Sequence, residues 1–227
     1  QRLHELGYAH SIEAWDGVTL RHLLNHTSGI PDYTTFPELA PFRLPLTPRQ
    51  LVDKFRDKAL EFPPGTNFKY SNSGYVLLGH IVECVSGESY SVFLQKNIFD
   101  PLGMKDSGYD SAAAVVPRRA NGYDRTPTGM RHAGYIDMTT PFAAGGLYST
   151  VEDLLRWQIG VFDGPLLSAA SREKLTTPAR NNYAFGLGVS TSDGRRQLAH
   201  NGGINGFFSR SIYYPEGKWS IIALGFG

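Results

Sequence analysis

Phe62-Pro63-Pro64-Gly65-Thr66-Asn67-Phe68-Lys69-Tyr70-Ser71-Asn72-Ser73-Gly74-Tyr75 joins a Pro-Pro-Gly turn to a helix entrance and puts a phenol and an amide at that entrance. The helix is expected over about residues 73–85, with Tyr75, Leu78, Val82 and Val85 on one stripe and Gly87 placed for a left-handed exit. Taken alone, Tyr70-Ser71-Asn72 is also a plain helix cap, in which Ser71 or Asn72 accepts a backbone N–H. The remainder of the chain has to decide between the two readings.

Upstream, Thr19 followed by Leu20, Leu23 and Leu24 reads as a short capped helix, stopped by Thr27-Ser28-Gly29-Ile30-Pro31-Asp32. Thr47-Pro48-Arg49-Gln50 combines an N-cap, a first-turn proline and a Gln three residues on, and opens a helix with Leu51, Phe55 and Ala59 on one side. Downstream, residues 89–98 read as another short helix. The run from Asp100 to Tyr135, rich in Gly, Pro and Arg, reads as surface connection, either a loop with a job or a disordered excursion. Ser149-Thr150-Val151-Glu152 is a capping box that opens a helix through Leu154, Leu155, Trp157 and Phe162, with helical character to about Thr177. The period then changes to two at Tyr183, Phe185, Leu187 and Val189. Residues 208–214 pair with residues 219–226 across Pro215-Glu216-Gly217. The expected fold is α+β: a mostly helical region over residues 1–180 carrying Tyr-Ser-Asn, and a partial antiparallel sheet over 181–227 carrying His200-Asn201-Gly202, with a site in the crevice between them.

Composition removes several functions. The chain has 227 residues, a formal net charge of +1 and 19% charged residues with the basic ones scattered, so it lacks the electrostatic footprint of a nucleic-acid or anionic-membrane binder. Cys84 is the sole cysteine, which excludes an internal disulfide framework and a cysteine-based zinc cluster; its helical phase suits a small buried hydrophobe. No window approaches the ~20 apolar residues of a membrane span, and residues 1–5 have no signal-peptide character. His22 and His26 have the i, i+4 spacing of a zinc pair, but no Glu follows His22 and no third ligand is indicated, so packing in the Thr-Ser-Gly turn is the reading and no metal is assigned. Gly-x-Ser-x-Gly, phosphate-cradling glycine and His-Glu-x-x-His motifs are absent, and no cofactor is expected.

Further stretches occur in a fixed order around Tyr70-Ser71-Asn72. They are Thr19-Leu20-Arg21-His22-Leu23-Leu24-Asn25-His26-Thr27-Ser28-Gly29-Ile30-Pro31, then Ile98-Phe99-Asp100-Pro101-Leu102-Gly103-Met104, then Gly145-Gly146-Leu147 with Ser149-Thr150 and Glu152-Asp153-Leu154, and last His200-Asn201-Gly202-Gly203. On these residues the chain resembles, over nearly its whole length, the penicillin-binding-protein-like serine hydrolases: the class C β-lactamase, D-alanyl-D-alanine carboxypeptidase and esterase group. The resemblance implies Tyr70 as general base, Asn72 as the amide that holds the catalytic lysine and the substrate, and His200 in the cation position of the opposite wall. It further implies Asn201 and Gly202 as substrate-binding strand residues and the Gly203 N–H as an oxyanion donor. The implied partner is a small-molecule or peptide-like acyl substrate. A phenol with a reference pKa of about 10 is a base only beside fixed positive charge, and glycines let a substrate carbonyl reach the backbone.

One implied element is missing. Such hydrolases take their nucleophile from Ser-x-x-Lys, and residues 1–18 hold only Ser11 followed by Ile12-Glu13-Ala14. Ser171-Arg172-Glu173-Lys174 fits the string but lies in a polar helix downstream, where Lys174 faces solvent. The chain therefore reads as an internal piece of a longer hydrolase, incomplete at both ends and inactive by itself, the alternative being a non-catalytic scaffold or pseudoenzyme of the same fold. Histidine at position 200 in place of lysine favours esterase or peptidase-like chemistry over β-lactam hydrolysis.

Overall fold

The structure, a computed structural model, describes Trp15, residues 17–37 and residues 43–226; the readings at residues 1–5, at Ser11 and at the last residue lie outside them. Helix α1 (Leu20–Leu24) starts where expected. The Thr19 hydroxyl accepts the His22 N–H while His22 Nδ1 accepts the Thr19 N–H, so two orphan donors of the first turn are satisfied reciprocally. Helix α2 (Pro48–Val52) has the predicted cap, with Thr47 and Gln50 exchanging hydrogen bonds. It is shorter than its apolar spacing suggested: the chain leaves the helix after Val52 and winds through turns that keep Phe55 in the core and leave Ala59 exposed.

Helix α3 (Asn72–Ser86) is the axis of the helical part and exits through Gly87 at φ 71°. Its buried face is not the predicted stripe. Ser73, Gly74, Val76, Leu77, Gly79 and Ile81 face inward, while Val85 is 68% exposed and Cys84 is also exposed, contrary to the expectation of a buried thiol. The small residues explain the rotation. Gly74 lies against Leu23, and a Cβ at Gly79 would collide with Ala143 and Phe142, so α1 and the turn Phe142–Ala144 approach the helix on this side alone. The core formed there includes Leu23, Ile30, Tyr33, Leu51, Phe55 and Phe142.

Helix α4 (Tyr90–Leu94) and the wide turn Gln95–Phe99 match the expected helix, but the helical path runs on into α5 (Asp100–Leu102), where a surface connection was expected. The connection that follows holds short strands, which corrects the alternative of a disordered excursion. Strand β1 (Gly108–Tyr109) pairs with β4 (Leu147–Tyr148), and β2 (Tyr123–Thr126) and β3 (Gly129–His132) form a hairpin. The hairpin docks on the main sheet, where Tyr123 N–H donates to Gly206 O at 3.3 Å, Asn205 Nδ2 donates to Gly134 O at 2.8 Å, and Phe207 lies against Gly122.

Helix α6 (Val151–Gln158) is capped by Thr150, which accepts the Asp153 N–H, one residue later than the predicted box. It widens over Ile159–Asp163, breaks at Gly164, and only then does α7 (Ala169–Thr176) begin, so the helical stretch to Thr177 is two helices. Four antiparallel strands follow as a meander in the order β5-β6-β7-β8: β5 (Gly188–Ser192), β6 (Arg195–Ile204), β7 (Phe207–Tyr214) and β8 (Trp219–Phe226). Tyr183, Phe185 and Leu187 precede β5 and do not lie in it, because Gly186 at φ 72° turns the chain there. The sheet is held to the helices by Phe162 stacked on Tyr213 at 4.4 Å, by Tyr213 Oη donating to Asp163 at 2.8 Å, and by Gln158 donating to Ser211 at 2.7 Å. No helix among the described residues is long and apolar enough to cross a membrane.

Candidate active site

Tyr70 is placed by the end of α1. The Thr27 N–H donates to the His22 carbonyl at 2.9 Å and the His26 N–H to that of Leu23 at 3.3 Å, a Schellman closure. The left-handed residue of such a closure is usually glycine, yet here it is His26 at φ 55°. A side chain in that conformation costs about 1–2 kcal/mol. The imidazole is 1% exposed, and its ring lies 4.0 Å from that of Tyr70 at 34°. His26 also bonds both neighbours of Tyr70: its carbonyl accepts the Lys69 N–H at 3.0 Å and its Nδ1 accepts the Ser71 N–H at 3.1 Å.

The opposite wall comes from residues 180–187 and β6. Arg180 Nε donates to Gly65 O at 2.7 Å, Gly186 N–H to Leu24 O at 3.1 Å, and Tyr75 Oη to the same Leu24 carbonyl at 2.9 Å, which draws this segment against α1. Asn181 and Asn182 both sit at left-handed φ, 52° and 54°, a conformation that asparagine tolerates better than most side chains. The Tyr70 and His200 rings come to 6.3 Å, and Tyr183 stands 6.3 Å from Tyr70 and 6.4 Å from His200. These rings border a cavity of about 500 Å³ that Asn181, Asn182, Asn201 and Arg210 also line.

Asn72 is the first residue of α3, two positions after Tyr70; it is not among the residues that line the cavity, and its Nδ2 donates to Asp32 Oδ2 at 2.9 Å. That bond fixes the orientation of the amide. Asp32 is held in turn by the Thr34 N–H on Oδ1 at 3.0 Å, and its neighbours Pro31 and Tyr33 bond to Ser73. Gly202 and Gly203 continue β6 beyond the cavity. A Cβ at Gly202 would strike Ser209 Oγ, whereas the space at Gly203 is open. Strand β5 pairs with β6 only as far as Ala199, so residues 200–204 have no strand on that edge among the described residues.

Electrostatics depart from expectation. Burial holds His200 below its ordinary value, partly offset by the Asn201 backbone, which disfavours the charged form at the position the resemblance gives to a cation. Burial, and then the Asp32 carboxylate, push the Tyr70 phenol up. Burial first, and then the proximity of His200, hold His26 down to about 4.

Ser171 and Lys174 lie exposed on α7, where Ser171 bonds Ser168, and neither borders the cavity. The i, i+4 helical geometry at His22 and His26 does not form, because α1 ends at Leu24 and His26 lies in the left-handed closure that follows. Three residues at the site carried no functional reading in the sequence: His26, Asp32 and Tyr183. A histidine in the glycine position of a helix stop was the available signal for the first.

The chain matches the family model described as Beta-lactamase over residues 9–225. It is 30% identical to penicillin-binding protein 4* of Bacillus subtilis (strain 168), covering 96% of this chain and 55% of that protein, and 26% identical to a D-aminopeptidase of Gluconobacter oxydans (strain 621H), covering 89% and 40%. The D-amino acid amidase from Ochrobactrum anthropi SV3, complexed with D-phenylalanine, superposes with a TM-score of 0.83 at 26% identity, covering 96% of this chain and 68% of that one. The chain thus spans about half the length of the curated relatives it matches. With the fold, the order of its motifs and these matches in agreement, the chain belongs to the beta-lactamase family of penicillin-binding-protein-like proteins.

Proposed function

We propose that the protein containing these residues is a serine hydrolase that opens an ester, amide or lactam through an acyl-enzyme, with D-amino-acyl amides and short D-peptides as first candidates because relatives are named for such substrates. Tyr70 is the proton-transfer group, Asn72 orients the reacting amide or ester, and His200, Asn201 and Gly202 hold the substrate against the open edge of β6. The Gly203 N–H serves the developing oxyanion. The helical part to residue 180 and the sheet from residue 181 are then the two walls of one cleft. The single observation that carries this reading is the meeting of Tyr70 and His200 at 6.3 Å in a cavity beside a strand edge that no other strand pairs among the described residues. A phenol raised above its usual value works as a base only if a cation is supplied next to it. Among the described residues no Ser-x-x-Lys borders the cavity, so nucleophile and lysine come from outside them and this chain alone does not turn over.

The test is to incubate the full-length gene product with D-phenylalanine amide, a p-nitrophenyl ester and a chromogenic cephalosporin, and to locate the acyl adduct by mass spectrometry. Turnover with the adduct on a serine outside this chain is expected. An adduct on Ser171 overturns the assignment, and binding without turnover or adduct establishes the scaffold alternative.

A further inference from the structure

We infer that His26 is a positioning residue for the Tyr70 phenol, an inference that rests on the role proposed for Tyr70. Three contacts converge on one side chain. The imidazole face packs 4.0 Å from the phenol ring, its Nδ1 takes the N–H of Ser71, and its backbone oxygen takes the N–H of Lys69, so the Tyr70 backbone is bonded on both sides and its ring is backed. Tyr183 at 4.9 Å, Tyr75 at 5.1 Å and Phe68 at 6.1 Å close the box around the imidazole.

The residue type is informative. Glycine would relieve the left-handed backbone, and an apolar ring would fill the box without stranding a donor, whereas histidine leaves a buried Nε2 with no partner among the described residues. What the imidazole adds over both is an acceptor on the one N–H between Tyr70 and Asn72. Nδ1 accepts only when unprotonated, so the neutral ring with its proton on Nε2 is the working form. The same bond aligns the start of α3, and with it Asn72, whose other tether is Asp32. His26 touches no substrate in this arrangement; it acts through Tyr70 and the peptide that follows.

The inference is tested in the full-length protein with His26→Phe, which keeps a ring and loses the acceptor, and His26→Asn, which tolerates the left-handed backbone and offers an amide oxygen near the Nδ1 position. On D-phenylalanine amide or a p-nitrophenyl ester, His26→Phe is expected to lower kcat at least tenfold with KM within twofold, and His26→Asn to recover kcat to within about threefold of the parent. Losses equal in the two variants, or kcat within twofold in His26→Phe, overturn it. Proton NMR gives a second readout independent of turnover: cross-peaks between the Tyr70 ring and the Tyr183 and His200 rings weaken in His26→Ala and remain in His26→Asn. Unchanged cross-peaks in His26→Ala overturn the positioning role even if the protein is inactive. Should Tyr70→Phe itself leave kcat within twofold, the role of Tyr70 fails while the NMR result still decides whether His26 fixes that ring.

Discussion

Tyr70 and His200 are 130 positions apart in the chain, and their rings stand 6.3 Å apart across one cavity. Neither is carried there by its own element alone. Tyr70 is tied to the closure of α1, and His200 is brought in by residues 180–187, which bond back to Leu24 and Gly65.

Tyr70→Phe in the full-length protein is expected to lower kcat about 100-fold or more and to leave KM within about threefold, since in the proposed role the hydroxyl moves a proton and holds no ground state. Steady-state kinetics on one ester and one amide check this. A kcat within twofold makes Tyr70 a packing residue.

His200→Ala is expected to raise KM and lower kcat together, each about tenfold, because the ring borders the cavity proposed to hold the substrate in both ground and transition states. Because burial lowers the His200 pKa, the parent kcat/KM should show no His200-dependent limb above pH ~6.5. Comparing parent and variant profiles from pH 5 to 9 decides the point; a limb near pH 7 that vanishes in the variant contradicts the buried, neutral imidazole.

Stability should fall on acidification. The folded pKa of His26, about 4, lies below the unfolded reference of about 6.5, so between these values the unfolded chain binds a proton the folded chain refuses. The contribution is fully present above pH ~6.5 and is lost as pH falls toward 4, on the order of 3 kcal/mol at its limit. Urea titrations at pH 4.5 and 7.5 should give a smaller difference for His26→Asn than for the parent. An equal difference removes His26 as the source.

Asp32→Asn should lower the Tyr70 pKa, because the carboxylate is a charge that opposes phenolate formation. Ultraviolet titration of the parent and of Asp32→Asn, each against its Tyr70→Phe counterpart, isolates that phenol. An unchanged or raised midpoint contradicts the proximity of Asp32 to the ring.

Gly79→Ala should destabilise by about 1–3 kcal/mol despite the higher helix propensity of alanine, as the added methyl would overlap Ala143 and Phe142. Thermal unfolding checks it; a gain in stability means the turn Phe142–Ala144 is packed less closely on α3 than described.

Several helix starts were legible because capping is local chemistry: Thr19, Thr47, Ser89 and Thr150, the last one residue beyond the expected box, each accept a backbone N–H of the first turn they open, while the start of α7 at Ser168 was not read. The β7–β8 hairpin was legible from its alternation and turn for the same reason. Helix ends and faces were not. Nothing local in Leu51, Phe55 and Ala59 forbids a longer α2, and the buried side of α3 is chosen by how closely Leu23 and Phe142 approach Gly74 and Gly79, contacts made by distant segments. At the site, Tyr70 and His200 were found through their motifs, whereas Asp32 and Tyr183 lie in turns whose chemistry emerges only after long-range packing. The lowering of the His200 pKa was not legible, because desolvation is a property of the assembled wall.

The strand order β5-β6-β7-β8 means that every pairing in the main sheet joins neighbours in sequence through a short turn. Such pairings close small loops and form quickly, whereas joining residue 70 to residue 200 closes a long one. Refolding should therefore separate in time: the strands acquire protected amides first, and the ring contacts across the cavity come last, with the Gln158–Ser211 and Phe162–Tyr213 contacts that seat the sheet. A chain released early from synthesis or from a chaperone would carry finished secondary structure and no cavity between Tyr70 and His200.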